Sequence, residues 1–239
     1  CGLDYLGAPC EDNGEALGLH GRIGNIPAER IYWDEDAEKI WVRAHVAQAR
    51  IFGRKLELTR TITTFKDRNE LTIDDTVTNH ADCRSPLMLL YHMNMGYPLL
   101  TENAELYVPS EKVVARNEHA AKDLDTWNKV LTPTAGFEEQ CYFHTFTGSE
   151  GLAAIFNPEI GKGLAIRFDT STLDHFTQWK MMGVKDYVMG LEPGNCYPDG
   201  RPTAREDGSL KYLESGESAH FHIRLTMIDG AEQWTALKK

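Results

Sequence analysis

Two side chains in this sequence are suited to moving protons and sit where apolar residues are expected. In LLYHMNMGYPLL (89–100) His92 interrupts an apolar run, and in YVMGLEPGN (187–195) Glu192 ends one. An imidazole titrates closest to neutrality among unperturbed side chains. A carboxyl closing a buried-looking run loses hydration, and desolvation lifts its pKa toward values useful for proton transfer. Residues two apart on a strand share a face. His92 and Asn94 therefore point with Met88 and Leu90, and Glu192 shares its side with Gly190, which leaves room beside the carboxylate. In FTQWKMM (176–182) Gln178 and Lys180 share one face and Trp179 takes the other. A third cluster, LGLHGRIGNIPAERI (17–31), puts His20 and Arg22 on one side if extended, with Gly21 and Gly24 allowing close approach to the backbone. Each also has a plainer reading: a satisfied core histidine, an exposed strand-end glutamate, a surface turn.

The elements that must position these residues are strands. Apolar periodicity is near two almost throughout, broken by Gly, Pro, Asn and Asp clusters. KLELTRTITTF (55–65) alternates cleanly, and residues 69–93 read as two strands about the turn Asn79-His80-Ala81-Asp82, a hairpin signature. Segments 151–157 and 163–169 form another pair around Asn157-Pro158 and Gly161-Lys162-Gly163, followed by strands at 176–182, 187–192 and 219–227. Residues 116–129 are a short helix or a polar excursion. Many short strands at this spacing predict an all-β sandwich or barrel, drawn as one domain over residues 1–239.

Composition narrows the function. The 239 residues are 41% hydrophobic and 26% charged, and no run of about 18 apolar residues could span a membrane. A net charge of -11 disfavours nucleic acid and anionic membrane surfaces as partners. Cys1, Cys10, Cys83, Cys141 and Cys196 are odd in number, scattered and without a Cys-x-x-Cys pair, which predicts reduced thiols in a cytoplasmic protein. His220 and His222 read as surface residues, and His45, His80, His144 and His175 show no ligand spacing. No nucleophilic-serine, phosphate-loop or dinucleotide motif occurs. The start at Cys1 allows a trimmed chain, a proteolytic fragment or a lipoprotein matured at its cysteine, the last disfavoured because no polar tether follows.

Taken in order, LHGRIGNIPA, YHMNMGYPLL and WKMMGVKDYVMGLEPGN running into Cys196, Tyr197, Pro198 and Asp199 resemble the aldose 1-epimerase (galactose mutarotase-like) family, and its uncharacterised aldose-epimerase-like branch in particular. The resemblance covers most of residues 1–201. It implies a large antiparallel β-sandwich, a supersandwich with few short helices, that binds a monosaccharide or related sugar without metal or cofactor. By the same resemblance Glu192 is the general base at the anomeric hydroxyl and His92 the general acid at the ring oxygen. His20 and Arg22 would position the sugar, with Asn94, Gln178 and Lys180 placed in the cleft by parity and Trp179 as an apolar platform. Trp179 and Lys180 cannot both face one cleft. The resemblance further implies a preceding segment absent from this chain, leaving a sheet edge to be covered by another polypeptide or a second copy. Met93, Asn94 and Met95 stand where better-studied mutarotases carry a tyrosine-phenylalanine pair, and Lys180 lacks a counterpart. Two alternatives therefore stay open: a metal-dependent isomerase or lyase of a keto or acidic sugar using His20, His92 and Glu192, and a non-catalytic carbohydrate-binding module.

Overall fold

Strand-forming alternation produces strands in nearly every segment that carries it. The computed structural model describes residues 1–239, arranged as two compact units. The first comprises Cys1–Tyr91, Thr172–Asp174 and Gly194–Ile223; the second comprises His92–Ser171, His175–Pro193 and Arg224–Lys239. No helix is long and apolar enough to cross a membrane.

In the first unit, strands Glu29–Glu35, Lys39–Ala49, Lys55–Phe65 and Glu70–Asn79 form an antiparallel meander. Its register sets Val46 opposite Leu58 and Leu58 opposite Val77, so the apolar half of the alternation falls on one face. Leu56, Leu58, Ile73 and Val77 are buried. Arg60 shares that face and is held by a bidentate pair with buried Asp75 at 2.8 and 2.7 Å, which Tyr91 Oη also reaches at 2.6 Å. The meander ends on Glu29–Glu35, whose seven residues are all exposed.

The hairpin expected across residues 69–93 does not form. Glu70–Asn79 pairs with Lys55–Phe65, whereas Ser85–Leu89 pairs with Gly2–Leu3 and Lys211–Leu213 in a separate three-stranded sheet. The reason lies in Asn79. Its buried amide donates to the carbonyls of Cys83, Leu213 and Glu214 and accepts from Ala81 N and Ser85 Oγ, which turns the chain out of one sheet and into another. Those bonds replace the turn hydrogen bonds a hairpin would need.

In the second unit, a five-stranded sheet runs in the order Lys112–Ala115, Gln140–Thr145, His175–Met182, Tyr187–Gly194, Met93–Met95. Glu150–Asn157 and Lys162–Asp169 form the expected hairpin, paired along their full lengths, with Glu105–Tyr107 alongside. Phe168 of that hairpin stacks on Phe176 of the five-stranded sheet at 5.7 Å, and Phe146 meets both edge-on. The polar stretch 116–129 contains one short helix, Glu118–Ala121, capped by the Asn117 side chain, and a 3-10 turn at Leu124–Thr126. A C-terminal helix, Gly230–Leu237, lays Trp234 over Phe156. Its eight residues are too short for apolar periodicity to announce it.

Candidate active site

The run 88–94 is not one strand. The strand ends at Leu89, a single bridge joins Leu90 to Gly194, and the next strand starts at Met93, so Tyr91 and His92 lie in no strand and parity across Met88, Leu90, His92 and Asn94 does not apply. His92 is instead oriented by its new neighbours. Its Nδ1 is hydrogen-bonded to Asn94 Oδ1 at 2.8 Å and lies 3.1 Å from Glu192 Oε1. Asn94 stands opposite Gly190 in the strand pairing, which puts it on the Glu192 face.

Glu192 is 2% exposed, and its Oε1 accepts no hydrogen bond. Burial pushes the carboxyl up to about 8, with the Glu139 charge adding to the effect. The space left by the missing side chain of Gly190 is taken by the Glu192 head group itself. A Cβ there would lie 2.0 Å from Glu192 Oε1. Burial also lowers the His92 pKa from 6.5, against the raising effect of its bond to Asn94.

Trp179 completes this face. Its ring meets His92 edge-on at 5.6 Å between centroids, and its Nε1 donates to Glu139 Oε2 at 2.7 Å. Across the pairing Trp179 stands opposite Cys141, whose thiol burial pushes up to about 11 and which Arg116 approaches at 3.9 Å. Glu139, Cys141 and Arg116 were not singled out in the sequence. Glu139 and Cys141 lie two apart at the start of a strand that carries no apolar alternation strong enough to mark it.

Gln178 and Lys180 point the other way, into the interior of the second unit, and are removed from the site. Both are essentially fully buried. Gln178 Nε2 donates to Trp127 O at 3.0 Å, and Lys180 Nζ sits 5.9 Å from the centre of the Tyr142 ring. Burial lowers the Lys180 pKa to about 8. Of the two residues that strand parity set apart, Trp179 is the one that meets His92. On the same inner face His144 is fully buried against Trp127 and Phe176 and is pushed down to about 4, which makes it a neutral core residue.

His20 and Arg22 belong to the first unit and are not extended. His20 (φ 55°) and Gly21 (φ 78°) are left-handed, and a 3-10 turn follows at Ile23–Asn25. The chain that approaches Gly21 is its own, since a Cβ would meet Gly2 O at 2.5 Å. Arg22 lies over the Tyr5 ring at 5.0 Å and faces Asp4 and Glu15 at 3.9 and 3.6 Å. No group of three or more His, Cys, Asp or Glu side chains is arranged to hold a metal ion.

A family model described as a domain of unknown function, DUF4432, matches residues 1–227. The chain belongs to the DUF4432 family. This DUF4432 chain is similar to the crystal structure of a candidate aldose 1-epimerase from Klebsiella pneumoniae, with a TM-score of 0.93 and 30% identity over 100% of this chain and 64% of that one. It thus spans 64% of that relative's length. It shares its fold with galactose 1-epimerase from Lactobacillus acidophilus (TM-score 0.66, 11% identity, 95% of this chain and 77% of that one). A galactose mutarotase-like protein from Clostridium acetobutylicum is similar at TM-score 0.63 and 15% identity, over 95% and 79% of the two chains. No curated protein matches the DUF4432 sequence. The fold is therefore the all-β, antiparallel galactose mutarotase-like sandwich that the three motifs implied.

Proposed function

We propose that this DUF4432 domain interconverts the anomers of a sugar by acid–base ring opening and closure. The observation that carries the reading is the contact between His92 and the buried carboxyl of Glu192, beside an indole able to take the apolar face of a sugar ring. Glu192 takes the proton from the anomeric hydroxyl while His92 gives one to the ring oxygen. The C1–O5 bond breaks and C1 becomes an aldehyde. Rotation about C1–C2 and attack by the O5 hydroxyl on the other face, with both transfers reversed, gives the second anomer. O1 and O5 are bonded to the same carbon, so the groups serving them must be close neighbours, as Glu192 and His92 are.

The protonation states suit this exchange. With Glu192 raised and His92 lowered, the pair carries one proton near neutrality. The neutral carboxyl with neutral imidazole and the carboxylate with imidazolium differ only by where that proton sits, so the working form is reached without net uptake.

The test is polarimetry or NMR exchange on freshly dissolved aldoses. The wild-type domain accelerates equilibration of at least one sugar, and His92→Asn loses most of that acceleration. Equal rates with and without the protein across hexoses and pentoses would overturn the proposal. Gly190→Ala offers a sharper check, because the atoms its methyl would strike belong to the Glu192 head group. The carboxylate must move, and a displacement near 1 Å lowers the rate about 10²-fold. A urea unfolding midpoint close to wild type shows that the loss is positional.

A further inference from the structure

The side chains beyond Trp179 continue the same sheet face away from the acid–base pair. On Tyr187–Gly194, Val188 lies two residues from Gly190 and four from Glu192, and on His175–Met182, Met181 lies two from Trp179. By strand parity all five share one face. At about 3.3 Å per residue, the track from Glu192 to Val188 is about 13 Å long, room for a second pyranose ring beyond the first. A cavity of about 530 Å³ occupies its far end, lined by Glu139, Trp179, Met181, Val188 and the turn-side residues Lys185, Asp186 and Tyr187.

The lining suits a glycosyl unit. Two aromatic residues, Trp179 and Tyr187, and the thioether of Met181 provide apolar surface for C–H faces, while Glu139, Lys185 and Asp186 offer acceptors and a donor for hydroxyls. Two carboxylates against one ammonium leave a local surplus of negative charge, which disfavours a phosphate or carboxylate at this position. Tyr187 is held by its hydroxyl bond to Leu131 O at 2.7 Å, and Trp179 by its bond to Glu139, so two of the walls are set before a ligand arrives.

We propose that this groove is a second sugar subsite, and that the preferred substrate is the reducing end of an uncharged disaccharide or longer oligosaccharide rather than a monosaccharide or sugar phosphate. The proposal rests on the anomer-interconverting reading of His92 and Glu192. Neither Met181 nor Val188 belongs to the acid–base machinery, and both are only half-buried, so an arginine at either position can extend across the groove.

The experiment measures wild type, Val188→Arg and Met181→Arg on galactose, glucose, lactose, maltose and glucose 6-phosphate by NMR exchange. Binding of lactose and maltose to a Glu192→Gln background is followed in parallel by calorimetry. Wild type is expected to turn over a disaccharide with KM about tenfold below that of the matching monosaccharide, a difference that contacts worth about 1.4 kcal/mol produce. Both arginine variants are expected to abolish that advantage while leaving the monosaccharide rate unchanged, and the binding arm is expected to show the same loss. Monosaccharide turnover with no disaccharide preference, or a preference for glucose 6-phosphate, overturns the subsite and leaves the chemistry standing. If no sugar is turned over, the anomerase reading fails. The calorimetry then decides the subsite alone: disaccharide binding lost in the arginine variants supports it, and no binding ends it.

Discussion

Glu192→Gln is expected to lower kcat for anomer interconversion by about 10²- to 10⁴-fold, the usual worth of a positioned proton acceptor. Glutamine keeps the volume and the single contact with His92 but cannot take the anomeric proton. The pH profile adds a signature that simple loss of folding would not. The active form holds one proton on the pair, so wild-type kcat/KM should be bell-shaped. Its acid limb lies below 6.5, where His92 gains a second proton for the pair, and its alkaline limb near 8, where Glu192 loses the last one. Residual activity in the glutamine variant should lack both the acid limb and the limb near 8, and should instead fall as pH rises through the lowered His92 pKa, below 6.5, where the remaining general acid loses its proton. A flat wild-type profile from pH 5 to 9, or unchanged kcat in the variant, would remove Glu192 from the chemistry.

The same substitution should stabilise the fold. The Glu192 carboxyl titrates near 4.5 when unfolded and near 8 when folded, so the unfolded state binds fewer protons between those values and wild-type stability falls as pH rises through that window. Glutamine cannot ionise and escapes the loss. The variant should therefore unfold at higher urea than wild type, by a margin that grows from pH 4.5 and levels off above about 8. Activity gained at the expense of stability is the expected mark of a functional group held in an unfavourable environment.

Arg201→Met is expected to cost about 3–5 kcal/mol of stability, the range for removing one partner of a buried ion network. Arg201 is 1% exposed and closes a cluster in the first unit. Its Nε donates to Asp12 Oδ2, its Nη1 to Asp4 O at 2.9 Å and its Nη2 to Glu15 Oε2 at 3.1 Å. Arg54 bonds Asp4 and Glu15, and Arg205 bonds Asp12, but neither can reach the Asp4 carbonyl bond that Arg201 makes. Methionine fills the volume and leaves those acceptors without their partner. Burial alone would raise the Glu15 carboxyl, yet the bonds from Arg54 and Arg201 hold it down at about 2. Its contribution is therefore present above 4.5 and disappears as pH falls through about 2, so the difference between Arg201→Met and wild type should be full at pH 7 and shrink in acid. Urea unfolding at pH 7 and pH 3 measures both points, and equal stability of the two proteins at pH 7 would show that the network is not what holds this corner.

Much of this molecule was legible one strand at a time. Period-two alternation located Lys55–Phe65, the Glu150–Asn157 and Lys162–Asp169 hairpin, and the two strands that carry Trp179 and Glu192, because a pleated backbone imposes that period wherever one face is buried. The same rule correctly put Gly190 beside Glu192 and showed that Trp179 and Lys180 could not serve one site. What it could not supply was which face is inside. That is settled by Phe168 stacking on Phe176, which makes the Lys180 side of the strand the interior and leaves the Trp179 side toward His92.

Partner choice was equally invisible to a local pattern. Asn79 looked like a hairpin turn because its residue type suits one, yet its amide reaches Leu213 and Glu214, more than a hundred residues away in the chain. His92 was conspicuous as an imidazole in an apolar run, but its contact with Glu192 exists only because the strand breaks at Leu89 and resumes at Met93 in another sheet. The types of the two candidate proton-moving residues, and the strand that bears Glu192, were determined by the sequence alone. Their meeting was decided by the tertiary structure, since hydrogen-bond register between distant strands depends on every competing pairing at once.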